Sequence, residues 1–525
     1  MKDTIQTIRR SSNRFLSGTL LSRMTGMFRD ISMAYAFGTQ PAIATFMVAF
    51  RLAHLLRRLF GEGALQSAFV PEFEKLRQQD EKIAFTFFRD LTCVLTLFLF
   101  LAICLGCAVC GALLRWGNLQ PDNQELIFFI LLMLPSLLFI CLYGLNTSLL
   151  QCEKCYFIPA VAPVAFNGIW IISVLLLMHS PADQAMSWLC LGVFFACIGQ
   201  WMTTLPQTIS IVKRSLTSNF FSTLRLYTPH LGSMMKPLAL GVLGVGASQI
   251  NSAVDSLFAL YADAEGPAFL WYAIRIQQLP LALFGVAVAG AVLPPLSRAI
   301  KTGQVQDYHH FLGDAIYRSW VFIVPLTAGL FVLGDLGVNF LYGRGDFGYE
   351  SVVETTYCLW AYGIGLAPAA LVLILAPACY ANSNYTIPTI ASFAALFLNT
   401  LLNALFIFFF GWGAVSVAVA TSLSAWMNLV LIGYSLSRSG TVLLSAKLIL
   451  QTIPATTATC FALWGTYQMR LLLFQGPFFS LNLLSSPLSS QLMNLALFSL
   501  IFCFFFLLIY LPFFFFKRAR THLKT

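Results

Sequence analysis

Four arginines stand inside long apolar segments of the sequence: Arg23, Arg29, Arg51 and Arg275. A charge at the centre of a bilayer costs at least about 2.5–3.5 kcal/mol on insertion scales, and such residues usually face a polar cavity. Guanidinium groups keep a fixed charge and present forked donors that match phosphate and carboxylate oxygens. Asp30 is the single carboxylate in the first two segments, so it cannot neutralise their arginines. The pattern predicts a shared water-filled cavity that binds a polyanion, and a diphosphate suits the number of charges.

The depths of these arginines also favour one cavity. Arg29 and Arg51 lie nine and ten residues from the outer ends of their segments, and Arg275 lies eight residues into its own from the same side. The alternative is snorkelling, in which a long side chain carries its charge to the membrane interface. Arg23, one to two turns nearer the cytoplasm, could partly reach the interface in this way.

The composition of the 525-residue chain indicates its class. It is 58% hydrophobic and 10% charged, whereas soluble domains are about 45–50% apolar and about 25% charged. This argues against a soluble enzyme, a disordered chain or a nucleic-acid-binding domain, and the net charge of +10 does not change that conclusion. Thirteen scattered cysteines are too few for a disulfide scaffold. We expect an integral membrane protein without a nucleic-acid partner.

A span needs roughly 20 mostly apolar residues, and windows of that length separate the chain into fourteen segments. They are 15–38, 41–60, 91–115, 126–148, 157–178, 187–211, 237–262, 267–290, 318–342, 352–380, 385–409, 411–435, 446–470 and 491–516. Segments this long, without alternation, must be helices, because a bilayer offers peptide groups no water. The predicted fold class is an all-α polytopic membrane protein with 14 transmembrane helices.

The basic residues predict the orientation of these spans. Of 31 lysines and arginines, 24 fall on the side of the termini, including Arg89 in the loop after span two. The other side receives Arg115, Arg344 and Arg470, and the remaining four are the membrane arginines. The positive-inside rule then places both termini in the cytoplasm, which agrees with an even number of spans.

The chain contains an internal repeat. Segment 49–71 resembles segment 273–295 at an offset of 224, and this aligns Arg51 with Arg275. Six spans per repeat preserve orientation, so the repeats form two parallel six-helix lobes, which in transporters hold substrate between them and open alternately. The predicted division is an N-lobe (1–212), a cytoplasmic connector (213–236), a C-lobe (237–435) and an added part with spans 13 and 14 and a basic tail (436–525). The added spans could pack a lipid tail or brace the core.

A second polar cluster falls in the C-lobe. Asp255 is a carboxylate inside span seven, Asn399 and Asn403 share a face of span eleven, and Thr421 lies at a similar depth in span twelve. One carboxylate with amide and hydroxyl oxygens suits sodium or a proton. The alternative is hydrogen bonding between helices, which Asn and Thr commonly provide in membranes.

Long motifs spread over spans one to twelve are shared with a known family. They are Leu21-Ser22-Arg23 followed by Gly26, Arg29 and Asp30, then VAFRLAHLLRRLFGEGALQSAFVPEF (48–73), YAIRIQQLPLALFGVAVAGAVLPPLSR (272–298), FLYGRGDF (340–347) and LAPACYANSNYTIP (375–388). With these motifs the chain resembles the lipid II flippases of the MurJ/MviN family, within the group of multidrug, oligosaccharidyl-lipid and polysaccharide exporters. The resemblance implies fourteen spans, two parallel lobes and an added final pair.

The resemblance also implies a substrate and site residues. The substrate is lipid II, a polyprenyl diphosphate that carries the peptidoglycan disaccharide-peptide. The family's cavity residues correspond to Arg23, Arg29, Asp30, Arg51 and Arg275. Its cation site, where present, corresponds to Asp255, Asn399, Asn403 and Thr421.

The chain departs from the family pattern at several positions. Many family members have an acidic residue early in span two, where this chain has Ala44. The family's motif LPNLLRR is LAHLLRR here, with Ala53 and His54 at the changed positions. Two positions near the arginine of span eight that are acidic in the family are occupied by Ile274 and Gln278 in this chain. Roles of those acids in proton or counter-charge chemistry therefore do not transfer to this chain.

The sequence predicts a flippase of the bacterial inner membrane without enzymatic activity, a cofactor or a catalytic residue. Sodium or proton coupling is expected at the cation cluster. Expected partners are lipid II, membrane lipids and cell-wall synthesis proteins. The alternatives are a flippase for another lipid-linked oligosaccharide and a membrane scaffold for envelope synthesis.

Overall fold

A computed structural model of the chain describes residues 5–55, 64–215, 229–301, 304–382, 384, 386–438, 446–474 and 486–522. Within these ranges every regular element is a helix, and no strand occurs. The chain divides into two compact units, Met1–Ser256 and Leu257–Thr525. The predicted all-α membrane fold is confirmed, whereas the division at 212, 236 and 435 stays a prediction.

The helices begin and end as follows. They are α1 (Ile5–Phe37), α2 (Pro41–Ala53), α3 (Ala64–Gln79), α4 (Glu81–Trp116), α5 (Pro121–Met133), α6 (Ser136–Cys152), α7 (Phe157–Leu177), α8 (Ala182–Ser215), α9 (Pro229–Ala262), α10 (Gly266–Lys301), α11 (Val305–Tyr342), α12 (Tyr349–Ile364), α13 (Leu366–Ala381), α14 (Thr386–Ala404), α15 (Val415–Arg438), α16 (Ala446–Phe474) and α17 (Leu488–His522). A π-helical turn, Leu405–Phe409, continues α14.

Each of the fourteen predicted spans falls on one of these helices or on a pair of them. In the described part of the chain, nine helical segments are long and apolar enough to cross a bilayer, or ten if the bent pair α5–α6 is one span. That pair bends by 44° between Met133 and Ser136, at a proline whose ring disrupts the helical hydrogen-bond ladder. The count of fourteen spans stays a prediction.

The second span differs most from expectation. Gly38, at φ +61°, follows the end of α1, and its N–H donates a hydrogen bond to the carbonyl of Ala34. Pro41 begins α2, at a first-turn position where no backbone N–H is needed for a helical hydrogen bond. We predicted a helix through residue 60, but α2 ends at Ala53 after 13 residues. Residues 56–60 lie outside the described residues. The loop predicted to follow contains helix α3 (Ala64–Gln79), which packs on α4 and α6.

Aromatic packing fixes the helices of the first unit around Trp170 of α7, which is 2% exposed. The rings of Phe46 and Phe50 on α2 lie 5.7 and 5.1 Å from the Trp170 ring, edge to face. The ring of Phe166 lies 5.5 Å away. Helix α7 also packs along α1 and α8. Trp170 therefore contacts both helices that carry the predicted membrane arginines of this unit, α1 and α2.

In the second unit the core lies around α11, which packs on α10, α12, α13, α16 and α17. Leu366, Ile374 and Ile432 are at most 1% exposed at its centre. The helices that follow the predicted repeat, α16 and α17, pack on each other and on α11. Within this unit they act as a brace on α11.

Candidate functional site: buried arginines of the first and second units

Arg29 and Asp30 form a buried ion pair on α1. Nε and Nη2 of Arg29 donate to the same carboxylate oxygen of Asp30, at 3.1 and 2.7 Å. Arg29 is 7% exposed and Asp30 is 3% exposed. We expected the carboxylate to leave the arginines largely uncompensated, but in this structure it compensates Arg29. The pair is neutral overall and is hydrogen-bonded, which makes its burial tolerable.

Helix α7 supplies the other partners of Arg29. The amide oxygen of Asn167 accepts from Nη1 of Arg29 at 3.3 Å. Its nitrogen donates to the carbonyl of Ser22 at 3.3 Å and to the hydroxyl of Thr25 at 3.1 Å. The guanidinium also lies 4.8 Å from the centre of the Trp170 ring, a cation–π distance. Sequence reasoning missed Asn167 and Trp170, although their i, i+3 spacing places them on one face of a membrane helix.

Arg51 and Arg23 are placed differently from Arg29. Nη1 of Arg51, on α2, donates to the carbonyl of Ser252 at 3.1 Å and to the hydroxyl of Ser256, both on α9 and in the first unit. Arg23 is exposed and forms no ion pair with any residue in the described ranges. Arg23 therefore carries a positive charge that no described carboxylate of the first unit pairs with.

Arg275 lies on α10 in the second unit. It is half-buried, and its guanidinium lies 4.6 Å from the centre of the Trp271 ring, one turn earlier. The structure thus brings Arg29 together with Asp30 in one unit and places Arg275 in the other. The shared cavity of all four arginines stays a prediction.

The candidate cation residues also fall in both units. Asp255 is 5% exposed and accepts a hydrogen bond from the amide of Asn251 at 3.1 Å. Asn399 and Asn403 of α14 are fully buried. The hydroxyl of Thr421, on the neighbouring α15, donates to the carbonyl of Val417 at 2.9 Å. The four-residue cation site stays a prediction.

Among the described residues, no group of three or more His, Cys, Asp and Glu side chains could hold a metal ion.

Two further buried ion pairs were not expected from the sequence. Arg470, which we placed on the outer side at the end of span thirteen, is 1% exposed and pairs with Asp335 of α11 at 2.6 Å. Arg89, which we assigned to a cytoplasmic loop, is 1% exposed and pairs with Asp90 at 2.7 Å. Asp335 lies inside predicted span nine, so the rule that identified the membrane arginines also pointed to it.

Comparison with known proteins agrees with this helical fold. The family model described as lipid II flippase MurJ matches residues 33–485. A relative from Chlamydia muridarum, named probable lipid II flippase MurJ, is 34% identical over 443 residues, which are 83% of this chain and 80% of the relative. A relative of the same name from Vibrio cholerae is 30% identical over 446 residues, which are 82% and 83% of the two chains.

Two solved structures show a similar fold. One is the lipid II flippase MurJ in an inward closed conformation, with a TM-score of 0.75 and 23% identity over 95% of this chain and 99% of that one. The other is an inward-facing multidrug transporter of the MATE family, with a TM-score of 0.65 and 13% identity over 82% and 97% of the chains. The apolar helices and these relatives indicate an integral protein of the inner membrane. With a match over most of its length, the chain belongs to the lipid II flippase MurJ family.

Proposed function

We propose that this protein moves lipid II from the cytoplasmic to the outer leaflet of the inner membrane by alternating access, without a catalytic step. The observation that carries the proposal is the family match over residues 33–485. The buried Arg29 on α1 and the half-buried Arg51 on α2 support it, since a lipid diphosphate is an anion that must cross an apolar barrier. Both termini lie in the cytoplasm under this proposal.

The proposed substrate site consists of Arg23, Arg29, Asp30, Arg51 and Arg275. The ion pair of Arg29 with Asp30 suggests how an empty carrier tolerates a buried arginine. A diphosphate offers several charged oxygens to the forked donors of Arg29, so it can displace the single oxygen that Asp30 supplies. Asp30 thus acts as an internal substitute for the substrate, and its release accompanies loading.

The proposed energy source has two parts. Sodium or a proton binds at Asp255, Asn399, Asn403 and Thr421, where the burial of three of these side chains supports a dehydrated ion. Membrane potential returns the empty cationic carrier, since one charge is worth about 2.3 kcal/mol per 100 mV. Replacing Asp255 by Asn is expected to abolish any dependence of transport on sodium or pH; a dependence that persists in Asp255→Asn contradicts this site.

Partners follow from the same proposal. Lipid II is the substrate, and membrane lipids surround the apolar helices. The proposed protein partners are the cell-wall synthesis enzymes that make and polymerise lipid II. No nucleic-acid partner is proposed.

The test is lipid II translocation in proteoliposomes that contain the purified full-length protein. We expect translocation by the wild type, and at least a tenfold loss in Arg29→Ala and in Arg275→Ala, since each removes charge-assisted hydrogen bonds of about 1.5–3 kcal/mol. The matched control is Arg115→Ala, because Arg115 is an exposed arginine at the end of α4. Unchanged transport in both cavity variants contradicts the arginine site.

Two more measurements distinguish a loss of transport caused by misfolding, and test the alternative functions. Arg29→Ala leaves Asp30 buried without its partner, so the double variant Arg29→Ala/Asp30→Asn tests whether a loss comes from the missing cation or from the stranded carboxylate. Preference for another lipid-linked oligosaccharide over lipid II favours that alternative substrate. A wild type that translocates neither lipid favours the scaffold.

A further inference from the structure

His54 lies at the end of α2 and beside the bend between α5 and α6. It follows α2 directly, and its backbone N–H donates to the carbonyl of Phe50 at 3.1 Å. Its ring reaches Ser136, the first residue of α6 after the 44° bend. His54 is 6% exposed and Ser136 is fully buried. The imidazole therefore connects the end of α2 to the bend between α5 and α6.

Three contacts run in series through this ring. Nδ1 lies 3.0 Å from the carbonyl oxygen of Phe50, and Nε2 lies 3.1 Å from the hydroxyl oxygen of Ser136. That hydroxyl in turn lies 2.5 Å from the carbonyl oxygen of Met133. The series begins and ends on a backbone carbonyl, and a carbonyl can only accept a hydrogen bond.

The two carbonyls determine how many protons the series needs. Nδ1 must donate to Phe50, and the single hydroxyl proton of Ser136 must be donated to Met133. Nε2 must therefore donate to the hydroxyl oxygen, so all three hydrogen bonds form together only when both ring nitrogens of His54 carry protons. A neutral ring and the serine supply two protons for three contacts, and one hydrogen bond is then missing.

We propose that His54 is a proton-binding site, and that the imidazolium form closes a hydrogen-bonded bridge between the end of α2 and the α5–α6 bend. Arg51 lies one turn earlier on α2, so the bridge fixes the helix end next to a proposed substrate contact. Proton binding itself does not depend on the proposed transport of lipid II.

The immediate surroundings suit a cation at this position. His54 lies at the C-terminal end of α2, where the helix dipole is negative. The centre of the Phe50 ring lies 4.4 Å from the centre of the imidazole, within cation–π range. Arg51 opposes the charge, but its guanidinium is directed to Ser252 and Ser256 of α9.

Among the described residues of α5, α7 and α8, few titratable groups could compete with His54 for this proton. The thiol of Cys197 on α8 lies 3.8 Å from Nε2, and α7 contains no titratable residue. The carboxylates of α5, Asp122 and Glu125, lie eight or more residues before Met133, about 12 Å or more along the helix.

Titratable groups also occur on the two remaining neighbours. On α6, Cys141 follows Ser136 by five residues, and the hydroxyl of Tyr143 donates to the carbonyl of Pro159. On α9, Asp255 accepts from Asn251. The chief competitor is therefore the Cys197 thiol, which could donate a weak hydrogen bond to Nε2 of a neutral ring.

Nitrogen-15 NMR of histidine-labelled protein in liposomes tests the proposal directly. The spectrum of His54→Gln identifies the ring signals of His54 among the six histidines. We expect these signals to change between pH 8 and pH 5 from a ring with one protonated nitrogen to a ring with two. We also expect Ser136→Ala to alter them while the other five histidines stay unchanged.

Two outcomes would overturn the proposal. One is a His54 ring with a single protonated nitrogen throughout this pH range, and the other is a titration that Ser136→Ala leaves unaltered. If Cys197→Ala changes the titration in that second case, the thiol is the partner of Nε2.

Thermal unfolding supplies a second, independent measurement. The wild type should gain stability between pH 8 and pH 5.5 relative to His54→Gln, because the closed bridge forms only in the folded chain. The control is His179→Gln, which removes an exposed histidine and should keep the full gain. Equal pH profiles for wild type and His54→Gln contradict the bridge, and neither measurement uses lipid II.

Discussion

Arg470 of α16 donates to both carboxylate oxygens of Asp335 on α11, at 2.8 and 2.6 Å, across 135 residues of sequence. Each side chain is 1% exposed, and the guanidinium also donates to the carbonyl of Val332 at 2.6 Å. The ring of Phe498 on α17 lies 5.8 Å from the guanidinium. One fully desolvated ion pair thus joins both helices that follow the predicted repeat to α11.

Removing one member of this pair should cost much more stability than removing both. Asp335→Ala leaves a buried guanidinium without its counter-charge, for which we expect a loss of about 3–5 kcal/mol. The double variant Asp335→Leu/Arg470→Met replaces the pair by apolar groups of similar size and should recover most of that loss. Unfolding in detergent measures both, and additive losses would contradict the pairing.

The proposed exchange of Asp30 for the substrate predicts an unusual gain of affinity. Asp30→Asn removes the internal competitor of Arg29, so a polyprenyl diphosphate should bind roughly tenfold more tightly, a change that corresponds to about 1.4 kcal/mol. Tighter binding should slow release, and transport should fall while affinity rises. Fluorescence-detected binding in liposomes measures the affinity.

The chain offers a matched control for that experiment. Arg89 and Asp90 form a pair with the same geometry, with Nε and Nη2 at 3.0 and 2.7 Å from one carboxylate oxygen. Asp90→Asn should lower stability without raising the affinity for the diphosphate. A similar gain of affinity in both variants would indicate a general effect of lost negative charge.

Asn167→Ala should loosen α7 from α1. The variant loses the acceptor of Arg29 and the donors to Ser22 and Thr25. Losing these hydrogen bonds should cost about 0.5–1.5 kcal/mol for each bond. Hydrogen exchange at α1 should rise along with the loss of thermal stability. Unaltered exchange there would show that the packing of Trp170 is sufficient.

Glu153 makes stability depend on pH at the end of α6. Burial raises the pKa of its carboxyl, Arg77 at 3.0 Å opposes this, and Glu81 and Glu74 raise the pKa further. A raised pKa means that the folded chain binds the proton more tightly than the unfolded chain. The stabilisation is therefore fully present below the ordinary pKa of a glutamate and is lost as pH rises through the raised value.

Glu153→Gln should consequently be more stable than the wild type at pH 8 and lose this advantage at pH 4. Arg77→Gln removes the opposing charge, so its stability should fall more steeply between pH 4 and pH 8. Thermal unfolding at several pH values measures both. A Glu153→Gln variant that is less stable at pH 8 would show that the ion pair with Arg77 outweighs burial.

Gly365 permits a close approach between the junction of α12 and α13 and helix α15. A Cβ atom there would lie 2.9 Å from the backbone of Ser422, so Gly365→Ala should cost about 1–3 kcal/mol. Two residues earlier, a Cβ at Gly363 would lie 3.5 Å from the Phe331 ring, an ordinary contact. Gly363→Ala should be nearly neutral, and equal losses would contradict the close approach as the cause.

The sequence predicted the helical elements well because hydrophobic length is a local property. Each of the fourteen predicted apolar segments overlaps a helix, although α2 ends earlier than its predicted span. The early end of α2 at Ala53 was not predicted, since no proline or glycine interrupts residues 42–60, and the contacts of His54 with α6 and α8 are not readable from a local pattern.

The candidate site was predictable in its residue types but not in its pairing. Charge inside an apolar segment identified Arg29 and Arg51, whereas their partners depend on how α1, α7 and α9 pack. Arg29 and Asp30 are neighbours in sequence, yet adjacency on a helix does not by itself predict an ion pair. Arg470 was counted among the outer basic residues because predicted span thirteen ends there, and its pairing with Asp335 of α11 could not be predicted from that segment alone.

The separation of Asp335 from Arg470 has a consequence for biogenesis. A ribosome adds about 5–20 residues per second, so 135 residues take roughly 7–27 s. During that interval α11 has been made, but Arg470, the partner of its Asp335, has not been synthesised. The second unit therefore cannot be completed before α16 emerges, and a chain truncated ahead of Arg470 is expected to be less stable because it lacks this ion pair.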